Sequence, residues 1–402
     1  MDGLFGVRMA GPLTPYAPGF AAELTRLGYT LFSTRGQLGL VAHLSRWLDG
    51  EGLDVGALAP STVEAFLAAR RDAGYHAYSS PTALGPLLGY LRGLGAAPAL
   101  AVLEPSSPLD VALERFRGYL LGERGLTVAA ARGYIDMVRP FVAGRAHGDV
   151  LELADLVASD VTVFMVAQSG RFSPKTMQRL ASALRSLLRF WHLEGVLATS
   201  LVEAVPKVAY RPPGLPRALQ PAQVAALLAS CRRERVEGLR DYAILLLLSR
   251  LGLRAGEVAD LRLEDLDWRR GQITVGGKGN RRDLLPLPVE VGQAVAGYLR
   301  AGRPAAALDR CVFVRVKAPH RGLTGTGVTQ AVAAAGRRAG LGTVYAHRLR
   351  HSAATAMLAA GAPLTEIGQV LRHRRPLTTA IYATVDTEAL RALARPWPSG
   401  VA

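Results

Sequence analysis

The chain has 402 residues, half of them hydrophobic, with 48 Lys and Arg against 32 Asp and Glu, a formal net charge of +16. That length holds two or three domains with ample core; no apolar run nears the ~20 residues of a membrane span, the densest being Ala243 to Leu248. The N-terminus, M-D-G-L-F-G-V-R, lacks a signal peptide's layout, and the two cysteines, Cys231 and Cys311, supply no disulfide framework and suit a reducing cytoplasm. The basic excess points to a polyanionic partner.

Where the charge lies is more telling than its sum. Residues 1 to 105 carry 7 basic and 8 acidic side chains, residues 106 to 210 carry 12 and 10, and residues 211 to 402 carry 29 and 14. Almost the whole excess sits in the last part of the chain.

The first two parts read as a repeat. L-T-R-L-G-Y-T-L-F-S-T-R-G-Q (24 to 37) lies on L-G-E-R-G-L-T-V-A-A-A-R-G-Y (121 to 134) at a shift of 97. S-T-V-E-A-F meets S-D-V-T-V-F at 98, and A-L-G-P-L-L-G-Y-L meets A-L-R-S-L-L-R-F-W at 100. Drifts of a residue or two are what loop insertions produce, so 1–105 and 106–204 are expected to be two copies of one all-helical module.

The second copy should end in a helix over Ser173 to Trp191. Met177, Leu180, Leu184, Leu187 and Leu188 give it an apolar face, while Lys175, Arg179, Arg185 and Arg189, with Arg171 just before it, give it a basic one. No acid interrupts from Gln168 to Leu193, which makes this helix the candidate polyanion-facing element. The matching stretch of the first copy, Pro81 to Gly95, keeps the apolar residues but has only Arg92. That first copy is expected to have lost most contacts with the polyanion and to act as a spacer, an arm-site reader of low charge or a subunit contact.

A Pro-rich linker, V-P-K-V-A-Y-R-P-P-G-L-P-R-A-L (205 to 219), precedes a C-terminal domain spanning 220–402. Gln220 to Cys231 and Asp241 to Ser249 read as helices, the second apolar enough to be buried. R-L-G-L-R-A-G-E-V-A-D-L (250 to 261) follows, with Arg254 in a tight turn. I-T-V and L-L-P-L flank G-G-K-G-N as paired strands would, predicting a hairpin that carries Lys278. Only four lysines (175, 207, 278 and 317) stand against 44 arginines, and one of them is kept at that turn. The spacing is not that of a phosphate-cradling P-loop.

Next comes A-H-R-L-R-H-S-A-A-T, with His347 and Arg350 three apart on a predicted helix and His351 one turn above His347. The small apolar run His351 to Ala360 suits a packed helix. The two histidines do not form a zinc-protease motif, because Arg348 stands where a Glu is required. L-R-H-R-R-P-L-T-T-A-I-Y then brings His373 and Tyr382.

Four boxes in register carry a resemblance: G-L-R-x-x-E (Arg254, Glu257), G-K-G-x-x-R (Lys278), H-x-L-R-H (His347, Arg350, His351) and L-x-H-x-x-x-x-T-T-x-x-Y (His373, Tyr382). They span roughly residues 215 to 395, and the chain resembles the tyrosine recombinases, or phage-type integrases, which include the Xer resolvases. The resemblance implies a mainly α fold with a small β-sheet in the catalytic domain, preceded by a helical, SAM-like core-binding domain, here duplicated. It implies cutting and rejoining of DNA strands through a 3′-phosphotyrosine link, for a mobile element, in the cytoplasm at the nucleoid. Double-stranded DNA is the expected partner, bound by a homotetramer on paired sites with a DNA-bending accessory protein; no membrane, metal or other cofactor is expected.

The chemistry explains those residue types. Attack on a phosphodiester builds negative charge on the non-bridging oxygens, which two permanently charged guanidinium forks, Arg254 and Arg350, can grip. A tyrosine hydroxyl, with a pKa of about 10, is a poor nucleophile until nearby positive charge favours its phenolate, and that is the environment expected of Tyr382. The resemblance assigns Lys278 as general acid for the departing 5′ oxygen, His347 and His373 as phosphate-orienting groups, and Glu257 and His351 as structural support. Glu257 should neutralise a buried basic partner. Arg281 and Arg372 are added as DNA contacts.

The chain departs from the family where Leu371-Arg372-His373 replaces the usual L-G-H, which puts the local geometry of His373 in question. Asp386 to Ala394 reads as a short amphipathic helix that docks either on its own subunit or on a neighbour. A type IB-like topoisomerase and a non-catalytic DNA-binding relative are the alternatives; the second should have lost part of the residue set that is complete here.

Overall fold

The computed structural model describes residues 4–99, 107–148, 150–209, 218–277 and 282–372. The chain divides into two compact units, one of residues 100–213 and one that combines residues 1–99 with 214–402. Three main hydrophobic cores lie within them, built from residues 13–97, 113–205 and 219–349.

The N-terminal core is gathered by α1 (Ala17–Arg26), α2 (Leu31–Gly50), α3 (Pro60–Asp72) and α4 (Pro81–Gly93). The middle unit is made of α5 (Pro108–Gly122), α6 (Val128–Ala143), a minimal hairpin of β1 (Ala146–His147) and β2 (Val150–Leu151), α7 (Ala158–Ser169) and α8 (Pro174–Leu193). Caps explain several starts. Thr30 accepts from the Ser33 N–H ahead of α2, and 97 residues on Thr127 accepts from Ala130 ahead of α6, with nearly the same backbone angles. The starts of α3 and α7 are 98 residues apart, and the ends of α4 and α8 are 100 apart. These are the shifts of the sequence repeat. The pairs differ most in the last helix, where α4 has 13 residues and α8 has 20. The two extra turns lie at the N-terminal end of α8 and include Lys175 and Arg179.

The C-terminal part is arranged around α10. In order it comprises α9 (Pro221–Ala229), α10 (Val236–Arg250), α11 (Ala255–Asp260), β3 (Leu266–Asp267), β4 (Gln272–Gly276), β5 (Arg282–Pro286), α12 (Val289–Gly297), α13 (Gly325–Arg338), α14 (Ala346–Ala359) and α15 (Leu364–Val370). Ala243 to Leu248 are all at most 1% exposed, which makes this stretch of α10 apolar on every side, as a helix enclosed by others must be. It packs on α9, α12, α13 and α14. Each such leucine contributes about 1.5–3 kcal/mol by leaving water.

A three-stranded antiparallel sheet, in the order β3-β4-β5, covers one edge of that core, with Ile273, Val275 and Leu285 facing inward. The pairing runs from Gln272 opposite Pro286 to Gly276 opposite Arg282, so the connection between the long strands is residues 277–281. Within the same unit, the turn after α1 meets the C-terminal part. Gly28, at φ +82°, lies against Ala306 and the His320 ring, which leaves no room for a β-carbon. No helix of the described residues is long and apolar enough to cross a membrane.

Candidate active site

The buried helix α10 ends at Arg250, and the chain turns sharply through Leu251 and Gly252 to deliver Arg254 at the start of α11. Gly252 has φ +59°, the left-handed region that glycine adopts freely. A β-carbon there would lie 2.5 Å from a Leu371 methyl carbon and 3.6 Å from the Ala353 methyl. This turn is therefore pressed against α14 and the end of α15, and only glycine fits without displacing them.

From α14, Arg350 enters the same point. It is 7% exposed, and its guanidinium donates to the carbonyl oxygens of Gly252 and Leu371. Two of its N–H groups thus fix the turn before Arg254 and the turn before His373 to one rigid fork. Small neighbours make room for this: Ser352, Ala353 and Ala354 are buried beside it, and Ala354 shares a small apolar cluster with Ile367 and Leu371.

His347 lies one turn before Arg350 on α14 and is exposed, its ring stacked on Tyr345 at 5.9 Å. His351 meets His347 edge-on at 5.9 Å. Burial, then the charges of His347 and Arg350, push the His351 pKa below its ordinary 6.5, which favours the neutral ring.

Glu257 joins two arginines. One oxygen accepts from the Arg254 guanidinium at 2.6 Å; the other accepts the Arg254 backbone N–H at 2.8 Å and the Arg372 guanidinium at 2.6 Å. The backbone bond caps the first turn of α11. Burial works to raise the Glu257 pKa and is the largest single influence. The Arg254 backbone bond, the Arg372 charge and the Arg254 side chain outweigh it and hold the carboxyl below 4.5. Arg254 is 48% exposed in its side chain, whereas Glu257 and Arg372 are each 8% exposed. The buried basic partner of Glu257 is Arg372, and Arg254 keeps its outer face to solvent.

Arg372 requires a correction. Expected to reach a DNA phosphate, it points inward to Glu257, with a second bond to the Val370 carbonyl. The reason is its backbone. Arg372 follows α15 at φ +54°, the helix-ending left-handed position where glycine is favoured, and its N–H bonds back to the Gln369 carbonyl. That conformation costs a non-glycine residue roughly 1 kcal/mol.

Lys278 and Arg281 fall in the 277–281 connection, and with His373, Tyr382 and the Asp386 to Ala394 segment they lie outside the described residues. Two contributors escaped the sequence reading. Gly252 carried the signal of a glycine closing a buried helix. Asp283, on β5 with a carboxylate oxygen 4.0 Å from the Arg372 Nε, offered none beyond its place in a strand. Among the described residues no group of three His, Cys, Asp or Glu side chains is placed to hold a metal ion.

The sequence profile of the phage integrase family matches residues 217–389, the stretch that contains all of this geometry. The "Putative integrase/recombinase y4rA" of Sinorhizobium fredii is 39% identical over 393 residues, covering 96% of this chain and 95% of that protein. The chain belongs to the phage integrase family. The tyrosine recombinase XerD of Listeria monocytogenes is 32% identical over 290 residues, 69% of this chain and 95% of its own. The solved structure of the XerH site-specific recombinase, bound to a palindromic difH substrate after cleavage, shares the fold at a TM-score of 0.57 and 17% identity, over 74% of this chain and 98% of that one. The chain is a tyrosine-type site-specific recombinase, an enzyme that cuts and rejoins DNA strands.

In this recombinase the basic face of α8 is real but smaller than the sequence suggested. Lys175, Arg179 and, nearly three turns further on, Arg189 are exposed on the face opposite the buried Met177, Leu180, Leu184 and Leu188, and Arg171 is exposed just ahead of the helix. Arg185 is not available in the same way. Its guanidinium donates to the Val205 and Pro206 carbonyls at 2.9 and 3.0 Å, and Gln178 reaches the Val208 carbonyl at 3.1 Å. Arg185 thus holds the outgoing chain along α8, which corrects its assignment as a phosphate contact.

Proposed function

We propose that the recombinase forms its covalent intermediate through Tyr382. The phenol oxygen attacks the phosphorus of one DNA strand, the bond from phosphorus to the 5′ oxygen breaks, and a 3′-phosphotyrosine link forms. His347 takes the phenol proton and Lys278 gives one to the departing 5′ oxygen; the reverse transfers rejoin a strand, so no oxidant, nucleotide or metal is consumed. Arg254 and Arg350 hold the charge that grows on the phosphate, with His347 and His373 orienting it.

The observation that carries this reading is the convergence on Leu371. Arg350, the Gly252 turn and the end of α15 meet there, two residues before His373 in the sequence that leads to Tyr382. A site whose two arginines are coupled by backbone contacts is suited to charge that develops at one phosphate.

The unit of residues 106–204 serves as the core-binding domain, meeting DNA through Arg171, Lys175, Arg179 and Arg189. Residues 1–105 form a second copy whose shorter α4 lacks that basic extension, 205–219 is the linker, and 220–402 is the catalytic domain with its tail. The enzyme works as a homotetramer on paired DNA sites at the nucleoid, in the service of a mobile element and with a DNA-bending partner.

A nicked suicide duplex taken from the DNA flanking the gene tests the chemistry. Wild type should give a covalent protein–DNA adduct on a denaturing gel and Tyr382→Phe none. A site that is bound but never joined to the protein would leave the mechanism without support.

A further inference from the structure

Arg372 occupies a backbone position that disfavours it, yet its side chain is almost wholly buried and engaged. It touches three separate pieces of the site. Its Nη2 lies 2.6 Å from the Glu257 carboxylate on α11, its Nη1 donates to the Val370 carbonyl at the end of α15, and its Nε lies 4.0 Å from Asp283 on β5. The Nε has no hydrogen-bond partner. These pieces deliver, respectively, Arg254, the segment leading to His373, and the hairpin whose connection contains Lys278.

A charge balance accompanies the geometry. Glu257 alone would offset the Arg254 guanidinium that it holds at 2.6 Å. With Arg372 on the second oxygen, and Asp283 as a further counter-charge 4.0 Å from the Arg372 Nε, Glu257 is shared between two arginines, so Arg254 can face an anion without its partner being committed to it alone.

We propose that Arg372 is a positioning residue of this recombinase, which through Glu257 fixes Arg254 and the α15 turn in one geometry. The proposal rests on the recombinase mechanism above and deepens it. Arg372 does not touch DNA; it acts through Glu257. An arginine at a glycine-favouring position is explained by the clamp that its side chain completes.

Arg372→Gly is the informative variant, because it relieves the left-handed strain while removing the clamp. It is made in the full chain beside Arg372→Lys, Glu257→Gln and the Glu257→Gln/Arg372→Gly double variant. Single-turnover adduct formation on the nicked duplex is measured together with DNA affinity. The expected result for Arg372→Gly is about a tenfold slower cleavage with affinity within about threefold of wild type, since misplaced groups lose rate rather than binding. Arg372→Lys, which keeps the charge but not the fork, should recover part of the rate. In the Glu257→Gln background the Arg372→Gly change should lose most of its effect, because both act through one pair.

Unchanged cleavage by Arg372→Gly overturns the proposal. So does an equal loss of affinity and rate with a shallower salt dependence, which marks a direct phosphate contact. A bound site with no adduct even from wild type overturns the tyrosine mechanism instead. Thermal unfolding of the same proteins then still reads the pair: non-additive shifts support the clamp, and additive ones reject it.

Discussion

Arg350 donates a hydrogen bond to the carbonyl oxygen of Gly252, 98 residues earlier in the chain. That bond ties α14 to the turn that delivers Arg254, and a second bond from the same guanidinium brings Leu371 to the same place. The arrangement depends on Gly252 twice, for a φ of +59° and for the space that Leu371 fills. Gly252→Ala is therefore expected to destabilise the catalytic domain by about 1–2 kcal/mol from backbone strain alone. Adding Leu371→Ala should relieve the crowding but not the strain, so stability stays below wild type. Chemical denaturation of the three proteins checks this, and a Gly252→Ala protein as stable as wild type would contradict the account of the turn.

The Glu257 clamp predicts acid sensitivity with a definite sign. The folded carboxyl titrates below its ordinary 4.5, because its hydrogen bonds and the two arginines outweigh burial. The stabilisation is complete above 4.5 and is lost as pH falls from there through the folded value. Glu257→Gln should lack that slope and be less stable at neutral pH by about 3 kcal/mol, because Arg372 is left buried with only the more distant Asp283, 4.0 Å away, as counter-charge. Unfolding free energies between pH 7 and pH 3 test both statements. An identical pH dependence in the two proteins would remove the clamp from the stability account.

Much of this site was legible from sequence because its chemistry is local. The turn at Arg254, the helix bearing His347 and Arg350, and the β4-β5 hairpin each follow from patterns a few residues long, and the buried α10 from a solid run of leucines. What sequence could not reveal depended on side-chain direction. Arg185 and Arg372 look like any other arginine in a basic stretch, yet one binds carbonyls 20 and 21 residues later and the other a carboxylate 115 residues earlier. Sequence counts charge well and its targets poorly. Arg372 also shows that a departure from a familiar pattern can be compensated elsewhere: the glycine's conformation is kept while an arginine supplies it.

His351 adds a second pH effect in a different range. Burial first, then the nearby His347 and Arg350 charges, lower its pKa from 6.5. Above 6.5 the folded and unfolded states are both neutral at this position, and it contributes no slope. As pH falls below 6.5 the unfolded chain takes up a proton that the folded site resists, so stability declines through the window down to the folded pKa. His351→Gln should flatten stability between pH 7 and pH 5. A titration of the His351 ring by NMR should place its midpoint below 6.5, and a midpoint above that value would reverse the sign of the argument.

The α8 arginines separate two roles that sequence alone merges. Arg189 is exposed on the basic face, whereas the Arg185 guanidinium is fixed to the Val205 and Pro206 carbonyls. If α8 lies on DNA, Arg189→Ala should weaken binding similarly for all sequences and reduce the slope of log K against log salt by about 1, the signature of one lost phosphate contact. Arg185→Ala should leave that slope nearly unchanged. It removes two hydrogen bonds that hold the start of the linker, each worth about 1 kcal/mol, so its effect should appear as earlier unfolding of the middle unit and faster proteolysis after Val205. Salt titrations of DNA affinity and limited proteolysis of the two variants distinguish these outcomes. A salt slope reduced by Arg185→Ala and unaffected by Arg189→Ala would mean that the chain leaving α8 is displaced when DNA binds.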